Sequence, residues 1–292
     1  METETIGMIF VVIQILTGAV QPVFTKFIVG IINPLFAASM VSLIGCIIPL
    51  ILLTRKDRLK VIFEKKNMKE ILLIGFFGTV MTYSFFFFGA QLTSGINTAI
   101  LMQAEPIYSI ILGYFILREK ITSKQILSTL LIVSGVLIVI YNGTISLNIG
   151  DLLIVLTPLF YQISHVIAKK TMKRIGTYAV QGGRYLFGGL ILLLLSSILN
   201  MNQFSLLMKP INLTTIILLG LVVAGIGSLA WYEAIKRINL SKATAMIAPY
   251  SILSIILAWF VLSEFPSVYQ ISGLILVLIG MAILARIKSE RR

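Results

Sequence analysis

Ser94 to Lys120 reads SGINTAILMQAEPIYSIILGYFILREK, a long apolar run with a carboxylate and a proline, Glu105 and Pro106, side by side near its centre. As a helix the run is long enough to cross about 30 Å of hydrocarbon. A charge at that depth costs roughly 2.5–3.5 kcal/mol on insertion scales, so it demands a functional reason. The proline removes a backbone N–H from the middle of the same helix, which interrupts it where the charge sits.

Apolar runs of similar length recur from one end of the chain to the other. The chain has 292 residues, of which 58% are hydrophobic and 12% charged, and its mean hydropathy is +1.01. No water-soluble domain of ordinary composition looks like this. Ten spans can be read: Met8–Val29, Pro34–Leu53, Ile71–Ala90, Ile96–Leu117, Ser123–Tyr141, Asp151–Ala168, Ala179–Leu199, Leu213–Tyr232, Ala243–Leu262 and Val268–Ala285. The expected fold is therefore an all-α integral membrane bundle. The acidic METETIG at the start is unlike the basic head of a signal peptide, so the run after it is kept as a first helix.

Lys and Arg outnumber Asp and Glu by 24 to 11. The excess sits in short connections, not on a soluble domain able to hold nucleic acid. Arg55, Lys56, Arg58, Lys60, Lys65, Lys66 and Lys69 follow the second span; Arg118, Lys120 and Lys124 follow the fourth. Lys169, Lys170, Lys173 and Arg174 follow the sixth, Lys236, Arg237 and Lys242 the eighth, and Arg286, Lys288, Arg291 and Arg292 form the tail. The alternate connections hold only Lys26 and Lys209. Positive loops face the cytoplasm, which puts both termini there.

The chain also repeats itself. FILREKITSKQILSTLLIVSG, Phe115 to Gly135, aligns without a gap on FVLSEFPSVYQISGLILVLIG, Phe260 to Gly280. Phe115, Leu117, Glu119, Thr122, Gln125 and Gly135 fall on Phe260, Leu262, Glu264, Ser267, Gln270 and Gly280. About five spans separate the copies, so they lie on opposite sides of the membrane: the halves, 1–145 and 146–292, are inverted repeats, as in secondary transporters. Part of the motif has a plain structural meaning. Thr122 with Gln125 and Ser267 with Gln270 have capping-box spacing, and Glu119 and Glu264 lie just before those helix starts, where the helix dipole favours negative charge. Ser128 and Gly135, matched by Gly273 and Gly280, suit close helix packing within the chain or across a homodimer.

Pro106 and Pro249 interrupt the corresponding fourth and ninth spans, although Tyr250 stands opposite Glu105 and Ser251 opposite Pro106. Interrupted helices in matching places point to a central site; the plain alternative is a packed kink. Three roles are open for Glu105: a proton-coupling carboxylate, a counter-charge for an amino group on a substrate, or a neutral acid bonded to a neighbouring helix. Other candidates to line the same site are Gln14, Thr17 and Gln21 in the first span, Gln103 beside Glu105, and Tyr161, Gln162 and His165 in the sixth. Arg184 and Tyr185 in the seventh could bind a carboxylate, unless Arg184 snorkels to the cytoplasmic face. Trp231 and Tyr232 near the end of the eighth read more plainly as an interfacial aromatic belt, and His165 as equally a packing or a titrating residue.

Enzymatic signals are poor: there is no HExxH, no P-loop and no nucleophile with an adjacent base. Cys46 and His165 are the single cysteine and histidine. No structural metal site and no cofactor is expected. An ATP-driven pump within the chain is excluded by the missing P-loop.

The doubled Phe-x-Leu-x-Glu, Thr/Ser-x-x-Gln and later Gly, with about ten spans in two halves, resembles the drug/metabolite transporter superfamily in its EamA branch. The resemblance covers essentially the whole chain. It implies an exporter of amino acids and related small metabolites, working by alternating access around a cavity between the halves. The expected setting is a prokaryotic inner membrane, with the protein a monomer or homodimer. Where that family often has an arginine early in the second helix of each half, Arg184 fits the second half, whereas the first offers Met40 and Val41. From a different class, a component that flips lipid-linked intermediates or scaffolds a complex would show a cavity that is apolar and open sideways to lipid. A polar vestibule at Glu105 would favour transport.

Overall fold

The computed structural model describes residues 2–56, 58–117, 121–143, 148–238 and 240–286. Glu119 and the tail residues Lys288, Arg291 and Arg292 lie outside them, as do Arg118 and Lys120. Among the described residues all regular structure is helical. In chain order we label α1 Glu2–Val29, α2 Pro34–Thr54 and α3 Lys65–Leu92, α4 Gly95–Leu101, α5 Glu105–Leu117 and α6 Ser123–Tyr141. The second half comprises α7 Ile149–Ile175, α8 Thr177–Ile198, α9 Pro210–Arg237, α10 Leu240–Met246, α11 Tyr250–Leu262 and α12 Val268–Ala285.

Among the described residues, eight helices (α1, α2, α3, α6, α7, α8, α9 and α12) are long and apolar enough to cross a membrane unbroken. The sequence reading has ten spans, and the two that differ are the fourth and ninth. Each is divided, as α4–α5 and α10–α11. At the first break a 3₁₀ turn, Met102–Ala104, precedes Pro106. The carbonyl of Met102, which proline deprives of its partner, is taken up by the N–H of Glu105. At the second, Pro249 stands at the start of α11. Proline alone does not decide this, because Pro22 and Pro158 stay inside unbroken α1 and α7. Corresponding helices α3 and α9 also widen into π-helix, over Phe76–Met81 and Leu218–Gly227.

The two repeated-motif helices, α6 and α12, pack along each other. A Cβ added to Gly135 would lie 2.5 Å from the carbonyl oxygen of Gly273, and one on Gly280 would lie 2.8 Å from that of Ser128. Early residues of one helix thus meet late residues of the other, so the pair is antiparallel. Antiparallel copies of one motif make the halves inverted, and the small residues pack within the chain. Helix α2 against α8, α3 against α7 and α1 against α9 likewise join the two halves. Phe115 and Phe260, equivalent in the repeat, are each 74% exposed, so both face lipid instead of the core.

Both capping boxes form. Thr122 Oγ1 accepts from the Gln125 N–H at 3.3 Å while Gln125 Oε1 accepts from the Thr122 N–H at 2.8 Å. Ser267 and Gln270 do the same at 3.2 and 2.8 Å. Glu264 departs from the sequence reading: its carboxylate accepts the N–H groups of Gly95 and Ile96, both at 3.0 Å, and so caps α4 in the other half instead of its own helix. Close by, Gln270 Nε2 donates to Asn97 Oδ1 at 2.7 Å, and Asn97 Nδ2 donates to Asp151 Oδ1 at 3.0 Å. This end of the bundle, opposite the basic loops, is tied by polar bonds between the halves.

Candidate functional site

Glu105 opens α5 directly after the 3₁₀ turn, and only 7% of it is exposed. Gln162 Nε2 on α7 donates to Glu105 Oε1 at 2.6 Å. One turn on, His165 Nδ1 lies 3.9 Å from the same oxygen, beyond hydrogen-bond length. On its other side His165 Nε2 accepts the indole N–H of Trp231 at 3.1 Å. That bond leaves Nδ1 as the protonated nitrogen of the neutral ring, the one turned to Glu105. The i and i+3 spacing of Gln162 and His165 on one helix face is what brings both to one carboxyl group.

A cavity opens beside this carboxyl group, lined by Gln14, Gln21, Glu105, Tyr161 and Tyr250 together with Thr82 and Thr157. The space open to the centres of water molecules is about 40 Å³, room for a few waters and not for a metabolite. A substrate can therefore occupy the site only after its walls move. Tyr250, which replaces an acid at the position equivalent to Glu105, faces the same cavity. Gln103 is drawn elsewhere: its Nε2 donates to the Ala248 carbonyl at 2.8 Å and to Ser251 Oγ at 3.0 Å, linking the two helix breaks. Thr17 bonds back to the carbonyl of Ile13 at 2.9 Å.

Arg184 does not snorkel. It is fully buried, and Nη1 donates to Tyr232 Oη at 2.7 Å. Its Cζ lies 4.4 Å from the ring centre of Tyr185, 5.3 Å from Tyr232 and 5.4 Å from Tyr161. Tyr185 Oη bonds Tyr83 Oη at 2.9 Å and Ser228 Oγ at 2.7 Å. Trp231 and Tyr232 are also buried, so the aromatic-belt reading is overturned. Their partners His165 and Arg184 hold them inside, and nearness to a span end was a misleading sign. Tyr161 joins the two groups, since it lines the cavity, packs edge-on to His165 at 4.5 Å and faces Arg184.

The structure thus brings Gln14, Gln21, Glu105, Tyr161 and Tyr250 to one cavity, sets His165 and Trp231 behind it, and puts Arg184 in an adjoining tyrosine cage. Thr82, Thr157 and Tyr83 were not singled out from sequence; a hydroxyl in an apolar span was the available signal. Among the described residues no three His, Cys, Asp or Glu side chains converge to hold a metal ion.

The model of the EamA-like transporter family matches residues 5–141 and 148–286. The chain is 27% identical over 275 residues to the uncharacterized transporter YyaM of Bacillus subtilis, covering 92% of this chain and 89% of that one. It is 24% identical to an uncharacterized transporter of Clostridium kluyveri, over 95% and 92% of the two chains. An uncharacterized transporter of Methanothermobacter thermautotrophicus is 28% identical over 80% of this chain and 68% of its own. A crystal structure with 17% identity superposes at a TM-score of 0.70 over 97% of this chain and 96% of the other, which shows a shared fold.

Proposed function

The chain belongs to the EamA-like transporter family, and from that premise we propose that it is a secondary active transporter that exports small metabolites such as amino acids by alternating access. The observation that carries this is the cavity at Glu105, walled by both polar and apolar side chains and set between two broken helices from opposite halves. Broken helices at a repeat interface are where such transporters bind their cargo. Pro22, Phe86, Met102 and Ile247 share the lining with a carboxyl group, two glutamines, two threonines and two tyrosines, so the cavity is not apolar throughout, which supports transport over the flipping of lipid-linked intermediates. In this reading the chain crosses a prokaryotic inner membrane ten times with both termini in the cytoplasm, and α4–α5 and α10–α11 count as the fourth and ninth crossings.

Glu105 couples transport to protons. Its carboxyl group has a donor in Gln162 and a neutral imidazole 3.9 Å away, so it can take up or release a proton as the cavity changes sides. The proton then biases the equilibrium between the two open states. The test is efflux of radiolabelled amino acids from proteoliposomes with and without a pH gradient. Wild-type efflux accelerates with the gradient, and Glu105→Gln, which keeps an amide beside Gln162, loses that acceleration. Unchanged gradient dependence in the variant rules out the proton role.

A further inference from the structure

Arg184 carries a charge for which the described residues supply no counter-ion. No carboxylate lies within ion-pair distance of it among those residues, and its Nε and Nη2 have no hydrogen-bond partner although the residue is fully buried. The tyrosine faces around Cζ attract the cation but cannot accept its in-plane N–H donors. A buried, unpaired guanidinium is among the costliest groups a protein can hold. Such a fork matches a carboxylate, which takes two parallel N–H bonds from one edge.

The same helix face continues toward the basic loops. Gln181, one turn before Arg184 on α8, is fully buried with both amide atoms unpartnered. A further turn back, Thr177 lines a second hollow, of about 240 Å³, at the N-terminus of α8. Lys56, Arg58 and Lys236 line it as well. The acidic lining residue Glu233 is ion-paired with Arg237. Positions 177, 181 and 184 fall on one side of the helix, which places Gln181 between Thr177 at the basic vestibule and the buried arginine.

We propose that the substrates carry a carboxylate, which enters from the basic vestibule, passes Gln181 and is held by the Nε and Nη2 edge of Arg184. This rests on the transport reading above and narrows its cargo to carboxylates. Tyr161, shared by the arginine cage and the Glu105 cavity, places the carboxylate end of the substrate beside the coupling carboxyl group.

The test is equilibrium binding to the purified full-length protein in detergent, read as the rise in Tm, with no gradient present. The probes are acetate, propionate, lactate, leucine, phenylalanine and glutamate, each compared with its amide, and sodium chloride at matched ionic strength. At least one acid raises Tm with a midpoint about tenfold or more below that of its amide, as the loss of a charge-assisted bond pair requires. Arg184→Lys, which keeps the charge and loses the fork, weakens that acid about tenfold, and Arg184→Gln abolishes the difference between acid and amide. If no acid outperforms its amide, or if chloride protects as well as every acid, the proposal fails. The acid-to-amide comparison uses the wild-type protein, so it stands even where a variant does not fold. Acids that bind without any gradient-driven flux overturn the transport reading and leave the Arg184 site intact; flux of amides equal to that of acids does the reverse.

Discussion

At the scale of single residues, Glu264 shows how one carboxylate does work at a distance in sequence. It meets two free N–H groups at the start of α4, so Glu264→Ala removes a charged cap and is expected to cost about 1–2 kcal/mol. Glu264→Gln, retaining one acceptor, should cost less. Thermal unfolding in detergent ranks the three proteins, and an alanine variant as stable as wild type would refute the capping role. Glu105 was legible because a charge in an apolar run stands out whatever surrounds it. Gln162 is legible as a candidate for the same site but not as the donor to Glu105, and nothing in the sequence singles out Thr82 and Thr157. In a span that is apolar on every side, periodicity does not separate the face toward the cavity from the face toward lipid. Trp231 misleads for a related reason: an aromatic near a span end suits the interface, yet it is buried and its indole N–H is taken up by His165.

At the scale of helices, the closest approach is that of α6 to α12. Gly135→Val sets a side chain against the Gly273 carbonyl, where even the Cβ would lie 2.5 Å away. The pair must separate, at a cost of about 1–3 kcal/mol or more, seen as a lower Tm. The two helix breaks are linked by Gln103, whose amide reaches the Ala248 carbonyl and Ser251. Gln103→Leu should therefore raise hydrogen–deuterium exchange across 245–251 above wild type; equal protection would show that the link holds nothing. The capping boxes were readable because the Ser/Thr-x-x-Gln spacing acts on the local backbone, whereas proline marks the two breaks but also stands inside the unbroken α1 and α7. The π-helical stretches of α3 and α9 were not readable from the sequence.

For the molecule as a unit, repetition carried the two-half architecture: a motif that recurs without a gap implies two copies of one unit. The pairing of units across the bundle, α4 with Glu264 and Asn97 with Gln270, depends on contacts that no pattern within one span announces. The proposed orientation can be checked directly. Cys46 is buried and is the single cysteine, so Cys46→Ser provides a background without thiols. In that background Lys66→Cys, at a side chain 75% exposed, should react with a membrane-impermeant maleimide only from the cytoplasm. Phe265→Cys, at a position 71% exposed, should react only from outside. Labelling of both from one face would invert or abolish the scheme. The cap on α4 also sets a timetable for synthesis. Glu264 lies 169 residues after Gly95, and at about 5–20 residues per second the ribosome needs roughly ten to thirty seconds to supply it. Until then α4 starts on the hydroxyl of Ser94 alone, which accepts from the Asn97 N–H at 3.0 Å. The first half is thus inserted early and completed late, and a nascent chain stalled before Glu264 should expose α4 to protease in a way that the finished protein does not.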